Sequence, residues 1–212
     1  MLSNKQSTSK ASITQALTAF HDVSKVHADD VFMFYVASHG SYDSDTDLYH
    51  MFTSDVLQLS RDRLLQTTIT EEELRNLIGN IPAMKKLIVL DTCNSGAFAR
   101  KGAAGFVSKR DAMQDQRIIN TMRNRTGAAV FAASGTEQSA LEGYEGHGVF
   151  SYFMLQGLKG AAARSNSKYV STDDLKIYVE EQVPEAMEKK NWGKQSPNIS
   201  THQFGFPVAM MK

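Results

Sequence analysis

The chain has 212 residues, 42% apolar and 22% charged, with Lys+Arg and Asp+Glu balanced at 23 each. That length suits one α/β domain, and the composition excludes wholesale disorder. A net charge of zero offers no electrostatic footprint for nucleic acid or an anionic membrane, so neither is expected as a partner.

The longest unbroken apolar run, Val31 to Ala37, falls far short of the roughly 20 residues of a membrane span, and residues 1–12 are polar, unlike a signal peptide. A soluble, cytoplasmic protein is expected. There is one cysteine, Cys93. It excludes an internal disulfide, and a zinc site built on it would need other ligands. No metal ligand is assigned.

In chain order, Ile13, Ala16, Leu17, Phe20 and Val23 recur at helical spacing. Val31 to Ala37 is short, apolar and aromatic, as expected of a strand buried on both faces of a parallel sheet. Residues 41–47 read as a loop, and 48–56 as holding a short strand. Thr70 with Glu73 is a capping box, which predicts a helix from Glu71 burying Leu74, Leu77 and Ile78, closed by Pro82. Lys86 to Leu90 is the second buried strand. Residues 94–110 read as loop, and 111–125 as helix with poor periodicity. Ala128 to Ala133 is a third apolar run. Val149, Phe150, Phe153, Met154 and Leu158 mark another helix. Thr172 caps one running to about Lys190, with Leu175, Val179 and Val183 inside. A strand near 199–208 ends the chain.

Alternating strands and helices imply a mostly parallel sheet covered on both faces, whose ligands bind beyond the carboxyl ends of the strands. The first strand runs into Ser38-His39-Gly40 and the second into Asp91-Thr92-Cys93, so His39 and Cys93 should share one edge. A cysteine nucleophile needs a base to supply thiolate, and an imidazole also protonates the leaving amine. Gly40, Ser95 and Gly96 are small enough for backbone N–H groups and a substrate carbonyl to approach. The spacing of His39 and Cys93 matches the roughly 50 residues seen in caspases.

Tyr35-Val-Ala-Ser-His-Gly40, Leu90-Asp-Thr-Cys-Asn-Ser-Gly96 and Ala132-Ala-Ser-Gly-Thr-Glu-Gln-Ser-Ala140 together resemble caspase-like cysteine peptidases of the metacaspase and bacterial orthocaspase type. Gly146-His-Gly-Val-Phe-Ser-Tyr152 and Gln195-Ser-Pro197 also fit. The resemblance implies an α/β caspase-like three-layer sandwich. It makes His39 the catalytic histidine and Cys93 the nucleophile, with the N–H groups of Gly40 and Cys93 as oxyanion hole. It places Asp91 in an acidic pocket for a P1 Arg or Lys, with Glu142 adding charge and Ser134 lining the cleft. A carboxylate there attracts a cation and rejects an anion. The expected activity is cysteine endopeptidase cleavage after basic residues through a covalent acyl-enzyme. Residues 1–98 would form the larger-subunit-like part, 99–126 a linker-like segment open to self-processing, and 127–212 the smaller-subunit-like part.

Two features depart from the family. No apolar run precedes Ile13, where the family places its first core strand, so that strand is expected to be missing and an upstream segment or further domains of a larger parent are expected. Animal caspases carry Gln-Ala-Cys-Arg-Gly at the nucleophile, whereas here Asp91 stands two residues before Cys93, which argues against aspartate specificity. No cofactor is required by the chemistry. The resemblance leaves calcium activation open, since many metacaspases use calcium; Asp43, Asp45 and Asp47 alternate like the start of a calcium loop, but no Gly stands sixth and no Glu twelfth, and the alternative is a solvated loop. His147 reads as a loop residue, and His21, His27, His50 and His202 as surface or structural. The competing reading is a catalytically silent caspase-like scaffold or regulatory binding module. A tyrosine phosphatase is disfavoured because Arg100 follows Cys93 one residue too late and leaves His39 without a role.

Overall fold

The computed structural model describes residues 8–94, 106–107, 112–133, 143–201 and 205–211, with the backbone alone at 93–94, 106–107 and 112–115. Helix α1 (Lys10–Ala19) starts at Ser9, whose hydroxyl accepts from the Ser12 N–H. It ends before the predicted apolar face does. Leu17 is buried, Phe20 packs edge-on against Phe32, and Val23 is exposed because the chain has already left the helix.

Strand β1 (Val31–Asp43) extends beyond the apolar run and turns at 44–47 into β2 (Leu48–Met51). The loop expected over 41–47 therefore shrinks to four residues, because Ser41, Tyr42 and Asp43 pair with His50, Tyr49 and Leu48. Helix α2 (Arg61–Thr67) and the short β3 (Ile69–Thr70) follow. The sequence reading missed α2, which buries only Leu64 and so has almost no periodic signal.

Helix α3 (Glu71–Gly79) has the predicted capping box. The Thr70 hydroxyl accepts from the Glu73 N–H at 3.1 Å, and the Glu73 carboxylate accepts from the Thr70 N–H at 2.8 Å. Then come β4 (Lys85–Asn94), β5 (Phe106–Val107), α4 (Ala112–Thr126) and β6 (Ala128–Ala132). Helix α4 occupies the second half of the segment read as linker-like, and it buries Ile118, Ile119 and Met122.

Helix α5 (Val149–Gln156) passes into a π-helical turn at Gly157–Ala161. Strand β7 (Tyr169–Ser171) precedes α6 (Thr172–Lys190). The cap of α6 is Ser171 rather than Thr172, in a capping box closed by Asp174. The expected last strand divides into β8 (Asn198–Ser200) and β9 (Pro207–Met210).

The main sheet runs β3–β2–β1–β4–β6–β8, with β5 beside the end of β1, while β7 and β9 form a separate pair. Strands β1, β4 and β6 are parallel, and the outer pairings are antiparallel. This is the expected α/β sandwich. On one face Leu87, Val89 and Phe131 pack with Phe150, Phe153, Val179 and Val183 of α5 and α6. On the other, Phe32, Ile88 and Val130 pack with Leu17, Leu74, Ile78, Ile118 and Met122 of α1, α3 and α4. Truncating a side chain as enclosed as Phe131 costs about 3–5 kcal/mol.

Strand β1 is not buried on both faces. Val31, Met33 and Tyr35 are 46%, 40% and 46% exposed, because the core formed with α5 and α6 lies over β4 and β6. Among the described residues, no strand pairs with 31–39 of β1 on the side away from β4.

Candidate active site

Strands β1 and β4 bring the two candidate catalytic positions together. Their parallel ladder runs in unbroken register from Val31 opposite Lys85 to Gly40 opposite Asn94, which makes His39 the direct partner of Cys93 and Ala37 that of Asp91. Neighbouring strands lie about 4.8 Å apart, so the His39 and Cys93 backbones are adjacent at the carboxyl end of both strands. His39 is exposed.

The backbone N–H groups of Gly40 and Cys93 lie inside that ladder. The His39 carbonyl accepts from Phe52 N–H at 2.8 Å, on the β2 side, and the Leu90 carbonyl accepts from Ala133 N–H at 3.0 Å, on the β6 side. Strand polar groups alternate sides from residue to residue, so those of Gly40 and Cys93 face the β1–β4 seam. Gly40 itself is demanded by packing: a methyl group there would overlap the buried phenol ring of Tyr49, with Cε2 only 2.7 Å away.

Beside this strand edge opens a cleft of about 720 Å³, lined by Tyr35, His39, Asp91, His147 and Ser151 and by Val56 and the chain from Met51 to Ser54. That volume suits a small ligand or a few residues of peptide. Tyr35, Ala37 and His39 share one face of β1, and Asp91 stands opposite Ala37. Ser151, in the first turn of α5, donates to Asp91 Oδ2. The Tyr35 hydroxyl lies 2.7 Å from Ser151 Oγ. Burial pushes the Tyr35 phenol up, the Ser151 hydrogen bond opposes this, and the Asp91 charge adds to the rise. The sequence reading singled out neither residue. Ser151 lies within the Gly146–Tyr152 motif, and Tyr35 stands four residues before His39 on the same strand face.

His147 is a turn residue, as expected, and it also reaches the cleft wall. The turn from Tyr144 to His147 has positive φ at both central residues, Glu145 (49°) and Gly146 (81°). That backbone suits a tight two-residue hairpin turn and favours glycine. Tyr144 fastens it by ring contacts to Tyr152 at 5.0 Å and Trp192 at 6.1 Å.

His50 is structural and buried, with Nδ1 2.7 Å from Thr68 Oγ1. His21 lies with Nε2 2.7 Å from the Leu77 carbonyl oxygen. The carboxylates of the calcium-like stretch face arginines: Asp43 and Asp45 pair with Arg61 at 2.8 and 3.2 Å, and Asp47 with Arg117 at 3.3 Å. Among the described residues, no cluster of three His, Cys, Asp or Glu could hold a metal ion, and no helix is long and apolar enough to cross a membrane. Ser134, Glu142, Ser95, Gly96 and His202 lie outside the described residues, as do Arg100, Lys101, Lys109 and Arg110.

No curated protein matches the sequence. Among solved structures, the chain resembles the crystal structure of protein GSU0716 from Geobacter sulfurreducens. The match has 15% identity and a TM-score of 0.58, and it covers 98% of this chain and 78% of that one. At that identity the likeness concerns the fold alone. A family model described as the caspase domain matches residues 2–207. With nearly its whole length matched, the chain belongs to the caspase domain family, a family of cysteine peptidases.

Proposed function

We propose that the protein is a cysteine endopeptidase of the metacaspase and orthocaspase type that cleaves after Arg or Lys. The observation that carries the reading is the β1–β4 register, which sets His39 opposite Cys93 at the mouth of a cleft that also contains Asp91. His39 takes the Cys93 proton, and the thiolate attacks the scissile carbonyl. His39 then protonates the leaving amine, and water hydrolyses the acyl-enzyme. The N–H groups of Gly40 and Cys93 receive the oxyanion once the end of the ladder parts. Asp91 holds the cationic P1 side chain, with Glu142 and Ser134 completing the pocket.

A fluorogenic peptide series varied only at P1, assayed with and without calcium, tests this. Cys93→Ala and His39→Ala should each cost several orders of magnitude in rate. Asp91→Asn should lower efficiency on basic peptides by about 1.5–3 kcal/mol. A dyad variant that kept more than about a tenth of the rate would refute the mechanism, and efficient cleavage after Asp would refute the acidic pocket.

Self-processing belongs to the same reading. Arg117, Arg123 and Arg125 lie in α4, and Arg117 and Arg123 are held there by Asp47 and Ser200. Helical backbone resists entry into an extended binding cleft, so Arg100-Lys101 and Lys109-Arg110 are the favoured sites. Intact masses of wild type and Cys93→Ala, incubated side by side, check this. Cleavage in both would point to a contaminating protease.

A further inference from the structure

Two elements reach Asp91, one directly and one through the other, in a way the dyad does not require. Ser151 from α5 donates to its Oδ2, and the Tyr35 hydroxyl from β1 stands 2.7 Å from Ser151 Oγ. A carboxylate only accepts hydrogen bonds. The Ser151 hydrogen is therefore committed to Asp91, and Tyr35 donates to Ser151, so the order is Tyr35, Ser151, Asp91. The first turn of α5 contains no acidic residue, and its positive dipole end favours an anion close by. Tyr35 is nearly half exposed, so core packing does not account for a tyrosine at this position.

We propose that Tyr35 and Ser151 are positioning residues that orient the Asp91 carboxylate to receive the cationic side chain next to the scissile bond. The proposal rests on the basic-P1 reading above and extends it to the groups that hold the recognising carboxylate. Neither residue touches the reacting atoms. Losing the Ser151 hydroxyl leaves Asp91 one donor short and able to rotate, which weakens its grip on a cation and raises KM while leaving kcat in place. Tyr35 acts one bond further away, so its loss has a smaller effect.

The test uses full-length protein carrying Cys93→Ala, titrated calorimetrically with two peptides that differ only in arginine or norleucine at P1. Binding is read without turnover. Adding Ser151→Ala should weaken the arginyl peptide about tenfold and leave the norleucyl peptide unchanged. Ser151→Thr, which keeps the hydroxyl, should restore binding, and Tyr35→Phe should weaken the arginyl peptide about threefold. Equal weakening of both peptides by Ser151→Ala would mark a merely structural contact and overturn the proposal. So would an absence of arginyl preference in the Cys93→Ala protein itself. If wild type hydrolyses no peptide while the Ser151-dependent arginyl preference holds, the peptidase reading falls and the positioning role stands.

Discussion

Replacing Gly40 with alanine offers a test of how the strand edge beside the site is built. The methyl group would meet the Tyr49 ring well inside van der Waals contact, and Tyr49 is only 6% exposed, in the core cluster that also holds Met51, Ile69 and Leu74. The ring must move, because β1 is fixed here by β4 on one side and β2 on the other. Forcing a methyl into a filled core costs about 1–3 kcal/mol. Expelling the ring altogether would approach the roughly 3–5 kcal/mol of deleting an aromatic side chain. A loss of about 3 kcal/mol is expected, read from urea unfolding followed by circular dichroism. The decisive measurement is the double-mutant cycle. With Tyr49→Ala in place the overlap disappears, and Gly40→Ala should then cost less than about 1 kcal/mol, since alanine also restricts the unfolded chain. An equal cost in both backgrounds would refute the steric account.

Arg61→Ala should destabilise the fold by about 3 kcal/mol, because it strips the charge partner from the fully buried Asp43; thermal unfolding compared with Asp43→Asn/Arg61→Ala checks this, and the double variant should recover much of the loss. Burial opposes ionisation of Asp43, but the Arg61, Thr46 and Asp45 hydrogen bonds win and hold its carboxyl below the ordinary range. Its contribution is therefore present above about pH 4 and is lost as pH falls through the folded value. Burial holds the His50 imidazole below its ordinary value, against the raising effect of Asp43 and Glu73 and together with Lys10 and Arg61. The unfolded chain thus binds the His50 proton more readily, and stability should decline as pH drops below about 6.5. A His50→Gln protein should show a shallower slope between about pH 7 and 5, and an unchanged slope would remove His50 from the account.

The parts of the fold visible in the sequence are those where one local rule governs. Lys86 to Leu90 and Ala128 to Ala132 read as buried strands because both their faces are covered, and the Thr70–Glu73 pair marks a helix start regardless of tertiary context. Strand β1 is visible as a strand, but its burial is not. Its apolar run looks like the other two, yet whether α5 and α6 reach over it depends on their docking on β4 and β6, which no local pattern encodes. Helix α4 is faint because Ile118, Ile119 and Met122 form a narrow buried stripe among charged residues. Of the candidate site, His39, Cys93 and Asp91 stand out in the sequence because each follows an apolar run by only a few residues. Ser151 and Tyr35 become relevant only when α5 is folded back over the end of β4.

The placement of Gly40 and Cys93 in the seam bears on how the proposed oxyanion site would work. Each ladder hydrogen bond contributes about 1 kcal/mol net. A developing oxyanion gains more from the same donors, about 3–4 kcal/mol for one of them in comparable sites. The exchange therefore favours the transition state over the paired strand, although it is unfavourable for a neutral ground-state carbonyl. Among the described residues, the last rung of the ladder sets Gly40 opposite Asn94, with Cys93 one position earlier. Only that end has to part, and the core rungs at Leu87 to Val89 are untouched. Beyond it, Tyr42 and Asp43 pair with Val107 and Phe106 of β5 as well as with β2, so parting that one rung leaves the outer end of β1 held on both sides. The same strand end that sets His39 beside Cys93 thus lies between the β4 rungs and the β5 rungs of β1, with β2 on the other side, and a donor can be released there without unzipping the sheet.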